Sequence, residues 1–124
     1  MSVDPDQPMR TTRLKASMDI QLLQQTLREF AVARNWQPFH TPKNLSTALM
    51  VESAELAEIF QWMTPEASKA AHLDPSTKER IADEVADVLL YLLQMADHCD
   101  IDIPQAVANK LVKNAAKHPV ANQL

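Results

Sequence analysis

The chain has 124 residues, 46% of them apolar and 23% charged, which is typical of one globular domain. Its net charge of −4, without any basic run, disfavours binding to a nucleic-acid polymer. The absence of glycine excludes Gly-rich phosphate loops, and the single cysteine, Cys99, excludes an internal disulfide and is expected to be buried. Any phosphate must therefore be held through side chains and metal ions.

The N-terminal part of the chain differs in character from the rest. Residues 1–18 contain scattered polar groups and two prolines without periodicity, and we expect a flexible arm there. They lack the apolar segment of a secretory signal, and no stretch reaches the ~18 apolar residues of a membrane span. We expect a cytoplasmic protein without membrane contact, in which residues 19–120 form the domain and 121–124 a short tail.

Four long helices are predicted in this domain from apolar residues at helical spacing and from capping signals at the helix starts. The second and third begin with a capping residue followed by proline, which is favoured at the first helical position. The helices are expected at about 19–35, 41–63, 74–98 and 102–117, with one short helical turn between residues 64 and 74. Almost no strand signal is present, so an all-α four-helix bundle is the expected fold.

The second helix carries a carboxylate inside its apolar stripe. Glu52 falls among the apolar residues of that stripe, where a charge is unfavourable unless something pairs with it. Glu55 lies beside the stripe, and residues three positions apart on a helix are neighbours. Glu84 and Asp87 repeat this arrangement on the third helix. The stripe of the second helix consists of Leu45, Leu49, Leu56, Ile59 and Met63. That of the third helix consists of Ile81, Val85, Val88, Leu92, Met95 and Cys99.

If the two helices pack through their stripes, four carboxylates meet and repel one another unless cations neutralise them. Oxygen ligands favour magnesium, calcium or manganese over zinc, and two such ions could activate water for attack on a phosphoryl group. Three alternatives stay open: solvated surface charges, a Glu52 that only fixes helix register, and a di-iron centre. The last would require Glu-x-x-His pairs, which neither acidic pair provides.

The aromatic and basic residues offer further binding groups. Trp36 in a loop and Trp62 on the acidic flank could stack on a nucleobase, or could pack at helix ends. His40 and His98 could contact phosphate or lie in water. The lysines of the last helix could reach a triphosphate or form a solvated face near the helix C-terminus; they are Lys110, Lys113 and Lys117.

Four segments together resemble the dCTP pyrophosphatase branch of the MazG-like nucleotide pyrophosphohydrolases. Their order and spacing are specific, and the resemblance extends over roughly residues 19 to 120. The segments are Trp36-Gln-Pro-Phe-His-Thr-Pro-Lys-Asn-Leu45, Glu52-Ser-Ala-Glu-Leu-Ala-Glu-Ile-Phe-Gln-Trp62, Glu84-Val-Ala-Asp-Val-Leu-Leu-Tyr91, and Ile103-Pro-Gln-Ala-Val to Lys110 with Asn114 and Pro119.

The resemblance implies hydrolysis of a (deoxy)nucleoside triphosphate between the α and β phosphates, in nucleotide-pool sanitation. It assigns Mg²⁺, for which Mn²⁺ can substitute, to the acidic pairs Glu52, Glu55, Glu84 and Asp87. It assigns the base to Trp36, Trp62 and Tyr91, and places Lys110 and Asn114 close to the substrate, with His40 as a further substrate-binding candidate. It also implies homodimers or homotetramers whose pockets are completed by neighbouring subunits.

Two departures from the family pattern bear on the base. Some dCTP-directed members carry histidine where this chain has Leu27, and the frequent Arg-Tyr-Pro ending is Lys117-His118-Pro119 here. We expect dCTP or a modified dCTP as substrate, with a dUTP-directed or broad-specificity enzyme as the alternative. A nucleotide-binding helical module without turnover is a further alternative. Glu55 is the first candidate for activating water, although the sequence leaves that choice open.

Overall fold

A computed structural model describes residues 18–121 of the protein. The arm expected at residues 1–18 and the tail at 121–124 therefore lie almost wholly outside the described residues. Within the described range there are five α-helices and no strand, which confirms the all-α prediction. The helices are α1 (Ile20–Ala33), α2 (Pro42–Phe60), α3 (Pro65–Ala70), α4 (Pro75–His98) and α5 (Ile103–Lys117), with short 3₁₀ turns at Gln37–Phe39 and Ala71–Leu73.

Each of these five helices begins at a side chain that caps it. The capping oxygen accepts a hydrogen bond from the backbone N–H three residues further on, which satisfies one of the unpaired donors of the first turn. Such caps stabilise a helix by typically ~1 kcal/mol, and in four of the helices proline follows within the first two positions. The caps are Asp19, Thr41, Thr64, Asp74 and Asp102.

Two helices end in a left-handed residue that is not glycine. Asn35 after α1 has φ 56° and Asp100 after α4 has φ 52°. Asn and Asp are the residues other than glycine that adopt this conformation most readily. At the end of α1 the N–H of Trp36 donates to the carbonyl of Ala31 at 2.9 Å, and Ile101 makes the equivalent bond after α4. Although the chain has no glycine, it thus forms left-handed helix ends in which the next residue bonds back to the last turn of the helix.

The core lies where α1 and α2 pack against α4. The most extensive packing is between α2 and α4, and α1 covers a second side of α4. The side-chain amide of Gln24 in α1 also donates to the backbone carbonyl of Leu93 at 2.9 Å. The buried side chains come from all three helices: Leu23, Ala31, Leu45, Ile59, Leu93 and Ala96.

The buried side of α4 differs from the predicted apolar stripe. Val85 and Leu92, both expected to face inward, are 50% and 46% exposed, whereas Leu93 is only 2% exposed. Cys99 is exposed, so the expectation of a buried thiol is wrong. The reason is that α4 packs against two helices, α1 and α2, which turns its inward face away from the single stripe that the spacing suggested.

The helix α5 lies apart from this packed unit. Every residue from 104 to 117 is exposed, and α5 makes few contacts with the other described helices. Three apolar residues on it, Val107, Leu111 and Val112, are among the most exposed large apolar side chains of the described chain. No helix between residues 18 and 121 combines the length and apolar character needed to cross a membrane. Val107 and Leu111, four residues apart, thus leave an apolar face of α5 exposed in the single chain.

Candidate functional site

Three of the four predicted carboxylates meet between α2 and α4. One oxygen each of Glu52, Glu55 and Glu84 lies within 4.8 Å of the others. The α2–α4 packing brings Glu84 to the pair on α2, whose members are helical neighbours at i and i+3. Asp87 lies one turn further along α4 and is not part of this trio. We call Glu52, Glu55 and Glu84 the acidic cluster.

The acidic cluster contains buried oxygen atoms that have no hydrogen-bond partner among the described residues. These atoms are Oε2 of Glu52 and Oε2 of Glu84; both side chains are partly buried, whereas Glu55 is exposed. A buried carboxylate oxygen without a partner is unfavourable, since it has lost water and gained no donor in return. The cluster therefore offers lone pairs that a bound cation would satisfy.

The electrostatics of the cluster favour protonation when no cation is present. The pKa of Glu52 is raised from its usual 4.5 to about 7, chiefly by burial and further by the neighbouring carboxyl of Glu55 and the charge of Asp87. Burial also raises the pKa of Glu84, although a hydrogen bond with Glu52 opposes that rise. Either protons or a positive ion must offset the repulsion between these groups. Oxygen donors of this kind fit a hard divalent cation.

An aromatic cavity of about 140 Å³ adjoins the acids at Asp87. On α4, Asp87, Tyr91 and Gln94 follow one another at spacings of four and three residues, so they lie along one side of the helix. The cavity thus continues from the acidic end of α4 towards its C-terminus. Its lining residues are Leu27, Phe30, Trp36, His40, Asp87, Leu90, Tyr91 and Gln94.

Trp36 is held at the wall of this cavity by its neighbours. The left-handed turn at Asn35 directs the chain back towards α1. The indole ring then meets the ring of Phe30 edge to face, with centroids 5.6 Å apart, and lies 6.2 Å from the ring of His40. The guanidinium of Arg34 stacks 3.3 Å above the centre of the Phe30 ring. The contacts with Phe30 and His40 thus place the indole at the cavity wall, with 45% of Trp36 still exposed.

His40 borders this cavity and a second one of about 420 Å³. Burial lowers the pKa of His40 below its usual 6.5, and the nearby His98 lowers it further. His40 is therefore neutral at pH 7 and has one ring nitrogen to donate and one to accept. The second cavity is lined by Gln24, Leu27, Arg28, Ala31, Val32, Gln37, His40, Gln94, Asp97 and His98.

The remaining predicted site residues lie elsewhere on the single chain. Trp62, just after α2, is 91% exposed. Lys110 and Asn114 are exposed on α5, and neither borders the two cavities. Of the predicted base-binding residues, Trp36 and Tyr91 therefore share a cavity within one chain and Trp62 does not.

Gln94 lines both cavities, although it was not among the site residues predicted from the sequence. Its spacing of three from Tyr91 and seven from Asp87 places it on the flank already identified on α4. A glutamine carries neither charge nor aromatic character, so residue type alone did not single it out. Its helical spacing from Asp87 and Tyr91 was the feature of the sequence that could have identified it.

The chain is similar to known proteins in sequence and in structure. It is 41% identical over 92 residues to dCTP pyrophosphatase 1 of Mus musculus and 41% identical over 91 residues to that of Homo sapiens. These matches cover 74% and 73% of this chain and 54% of each relative, so the chain spans about half the length of the curated relatives it matches. The crystal structure of a pyrophosphatase from Archaeoglobus fulgidus matches with a TM-score of 0.76 and 39% identity, over 82% of this chain and 93% of that one.

The family match rests on the part of the chain that holds the acids. The MazG-like family model matches residues 48–124, which include both acidic pairs and α5. This range is more than half of the chain, and the archaeal pyrophosphatase shares its all-α fold over most of both chains. The resemblance inferred from the four sequence segments is thereby confirmed. The chain belongs to the MazG-like family.

Proposed function

We propose that the chain is a Mg²⁺-dependent nucleoside triphosphate pyrophosphohydrolase that acts on dCTP or a modified dCTP. The reaction splits the bond between the α and β phosphates and releases a nucleoside monophosphate and pyrophosphate. The observation that carries the proposal is the acidic cluster, with its unsatisfied buried oxygens, next to an aromatic cavity. The names of the relatives, dCTP pyrophosphatase 1 and pyrophosphatase, support the same reaction.

In this proposal the acids hold the metal. Glu52, Glu55 and Glu84, with Asp87 one turn away, supply carboxylate oxygens while leaving room for phosphate oxygens and water. When bound, Mg²⁺ would neutralise phosphate charge and lower the pKa of a coordinated water. Glu55 is the exposed member of the cluster and has the best access to solvent, which makes it the first candidate for orienting the attacking water.

The base occupies the aromatic cavity. Trp36 and Tyr91 present ring surfaces there, and stacking on such rings contributes ~1–3 kcal/mol per base. Because Asp87 borders the same cavity, a nucleotide with its base between the rings directs its phosphates towards the acidic cluster. Neutral His40 at the cavity wall is available for a hydrogen bond to the substrate.

We further propose a homodimer, or a tetramer built from dimers, in which a neighbouring copy completes the pocket. Trp62, Lys110 and Asn114 are exposed in the single chain, and α5 presents an uncovered apolar face. Contact between copies through α5 would cover that face and could bring these residues to a neighbour's site. Residues 19–120 form the domain that carries the activity, with a role in keeping the cytoplasmic nucleotide pool clean.

The test is hydrolysis of a panel of triphosphates with Mg²⁺, with pyrophosphate and monophosphate measured as products. We expect Glu52→Gln and Asp87→Asn each to lower kcat by roughly 100-fold or more, since each removes a charge from the metal site. Glu58→Gln is the matched control, because Glu58 is exposed on the same helix as Glu52 and lies outside the cluster. Unchanged turnover in both site variants would refute the mechanism, and tight binding without pyrophosphate release would identify a non-catalytic module.

A further inference from the structure

Gln94 lies where the two cavities meet. Among the described residues, three line both of them, namely Leu27, His40 and Gln94. Leu27 has no hydrogen-bonding group, so the polar character of this junction comes from His40 and Gln94. Gln94 is seven residues from Asp87 along α4, which is about 10 Å at 1.5 Å per residue. It therefore stands at the end of the aromatic cavity that is remote from the acids.

The hydrogen bonding of Gln94 shows which atom of its amide is already engaged and which is left for a ligand. Its Nε2 donates to the backbone carbonyl of Leu90, one turn earlier, at 3.1 Å. A carbonyl oxygen only accepts, so the nitrogen must occupy that position and the oxygen Oε1 must take the other. No residue between 18 and 121 donates a hydrogen bond to Oε1. Gln94 is a partly buried residue, and its Oε1 is an acceptor at the junction that no described residue satisfies.

The bases differ in what they would offer to such an acceptor. Cytosine and adenine carry an exocyclic amino group, which donates, whereas thymine and uracil carry a carbonyl oxygen at the same edge, which only accepts. A carbonyl facing Oε1 would set two acceptors against each other. A site built to hydrogen-bond a substrate group discriminates strongly against an analogue that lacks it, because a buried polar atom is then left unpaired.

On the basis of the proposed function, we infer that Gln94 determines base specificity by accepting a hydrogen bond from the exocyclic amino group of the base. Phosphates at the acidic cluster and a ring stacked on Trp36 leave the far edge of the base directed towards Gln94. Leu27, across the same junction on α1, offers that edge no competing hydrogen bond. The preference is for cytosine over uracil and thymine among the pyrimidine nucleotides.

The experiment compares kcat/KM for dCTP and dUTP in the wild type and in Gln94→Met, which keeps the length of the side chain and removes the acceptor. We expect the dCTP to dUTP ratio to fall at least tenfold, mainly through a higher KM for dCTP. Gln94→Lys, which has donors and no acceptor, should move the ratio further towards dUTP. Gln24→Met is the matched control: Gln24 bonds the carbonyl of Leu93 from the larger cavity and does not border the aromatic one.

The outcomes separate this inference from the proposed function. If the wild type hydrolyses no triphosphate, the proposed function fails. If it hydrolyses them but does not prefer dCTP to dUTP, or if Gln94→Met keeps the wild-type ratio within twofold, only the role of Gln94 fails. A change in the dCTP to CTP ratio at a constant dCTP to dUTP ratio would assign Gln94 to the sugar and would also overturn it.

Discussion

In the single chain, the interface between α2 and α4 buries polar atoms, whereas the surface of α5 exposes apolar side chains. At the interface, one carboxylate oxygen of Glu52 and one of Glu84 are buried without partners among the described residues, which is costly for polar atoms. On α5, apolar side chains such as Leu111 remain in water, and contiguous exposed apolar side chains are frequent at protein contacts. The difference indicates what each region lacks. In the proposed enzyme, a cation would satisfy the interface and a second copy of the chain would cover α5.

Introducing charges on the α5 surface is expected to change both the mass of the proposed oligomer and its activity. Val107→Asp combined with Leu111→Asp changes two exposed apolar residues one turn apart on the same face. We expect the proposed oligomer to dissociate, because charges in an apolar contact are costly to bury, and kcat/KM for dCTP to fall at least tenfold as the pocket loses its neighbour. Light scattering after size exclusion gives the mass, and pyrophosphate release gives the activity.

Asn109→Asp controls for the added charge, since residue 109 lies on the opposite side of α5 from residues 107 and 111. It should leave both mass and activity unchanged. A double variant that keeps the wild-type mass and activity would show that α5 is not the surface between copies.

A smaller effect, in thermal stability, is expected at the acidic cluster. The pKa of Glu52 is about 7 in the fold against its usual 4.5, so the stability linked to its protonated form is present below pH 4.5 and is lost as the pH rises through 7. The raised pKa of Glu84 also lowers stability as the pH rises. The lowered pKa of His40 has the opposite effect, because the stability linked to neutral His40 is gained as the pH rises towards 6.5, the usual pKa of histidine. Without divalent cations, we expect Tm to fall by roughly 5 °C between pH 5 and pH 8.

Two comparisons test this expectation, one with Glu52→Gln and one with added Mg²⁺. Glu52→Gln keeps the shape of the side chain without its charge, so it should flatten the pH dependence and raise the Tm of the metal-free protein at pH 8, although it lowers activity. Mg²⁺ should raise the Tm of the wild type at pH 8 more than that of Glu52→Gln, and Glu58→Gln should behave as the wild type does. A wild-type Tm that is constant or rises over this range would contradict the assigned repulsion.

The parts of the fold that depend on local chemistry could be predicted from the sequence. Asp19, Thr41, Asp74 and Asp102 were expected at or near helix starts, and each caps a helix. The spacing of the acids also predicted that carboxylates from two helices would meet, and three of the four do so.

The parts that depend on which helices pack together could not be predicted in the same way. The exposure of Leu92 and Cys99 follows from the packing of α4 against both α1 and α2, and periodicity along one helix does not contain that information. Gln94 was missed for a related reason. Its importance comes from lying between two cavities, and α1 provides the opposite wall.

The smallest effect is expected at the two left-handed residues, each of which serves one of the regions compared above. Asn35 turns the chain so that Trp36 reaches the aromatic cavity, and Asp100 turns it ahead of α5. Replacing either by alanine should cost about 1–2 kcal/mol of unfolding free energy, because alanine lacks the local hydrogen bonding that makes this conformation tolerable, whereas glycine should be neutral or stabilising. Urea denaturation measures this cost.

The kinetic effects of the two replacements should differ. Asn35→Ala should raise the KM for dCTP severalfold because the indole of Trp36 is displaced, and Asn35→Gly should restore it. Asp100→Ala should leave that KM unchanged at protein concentrations that keep the oligomer intact. Equal KM values in the two alanine variants would mean that the turn at Asn35 supports the fold without positioning Trp36.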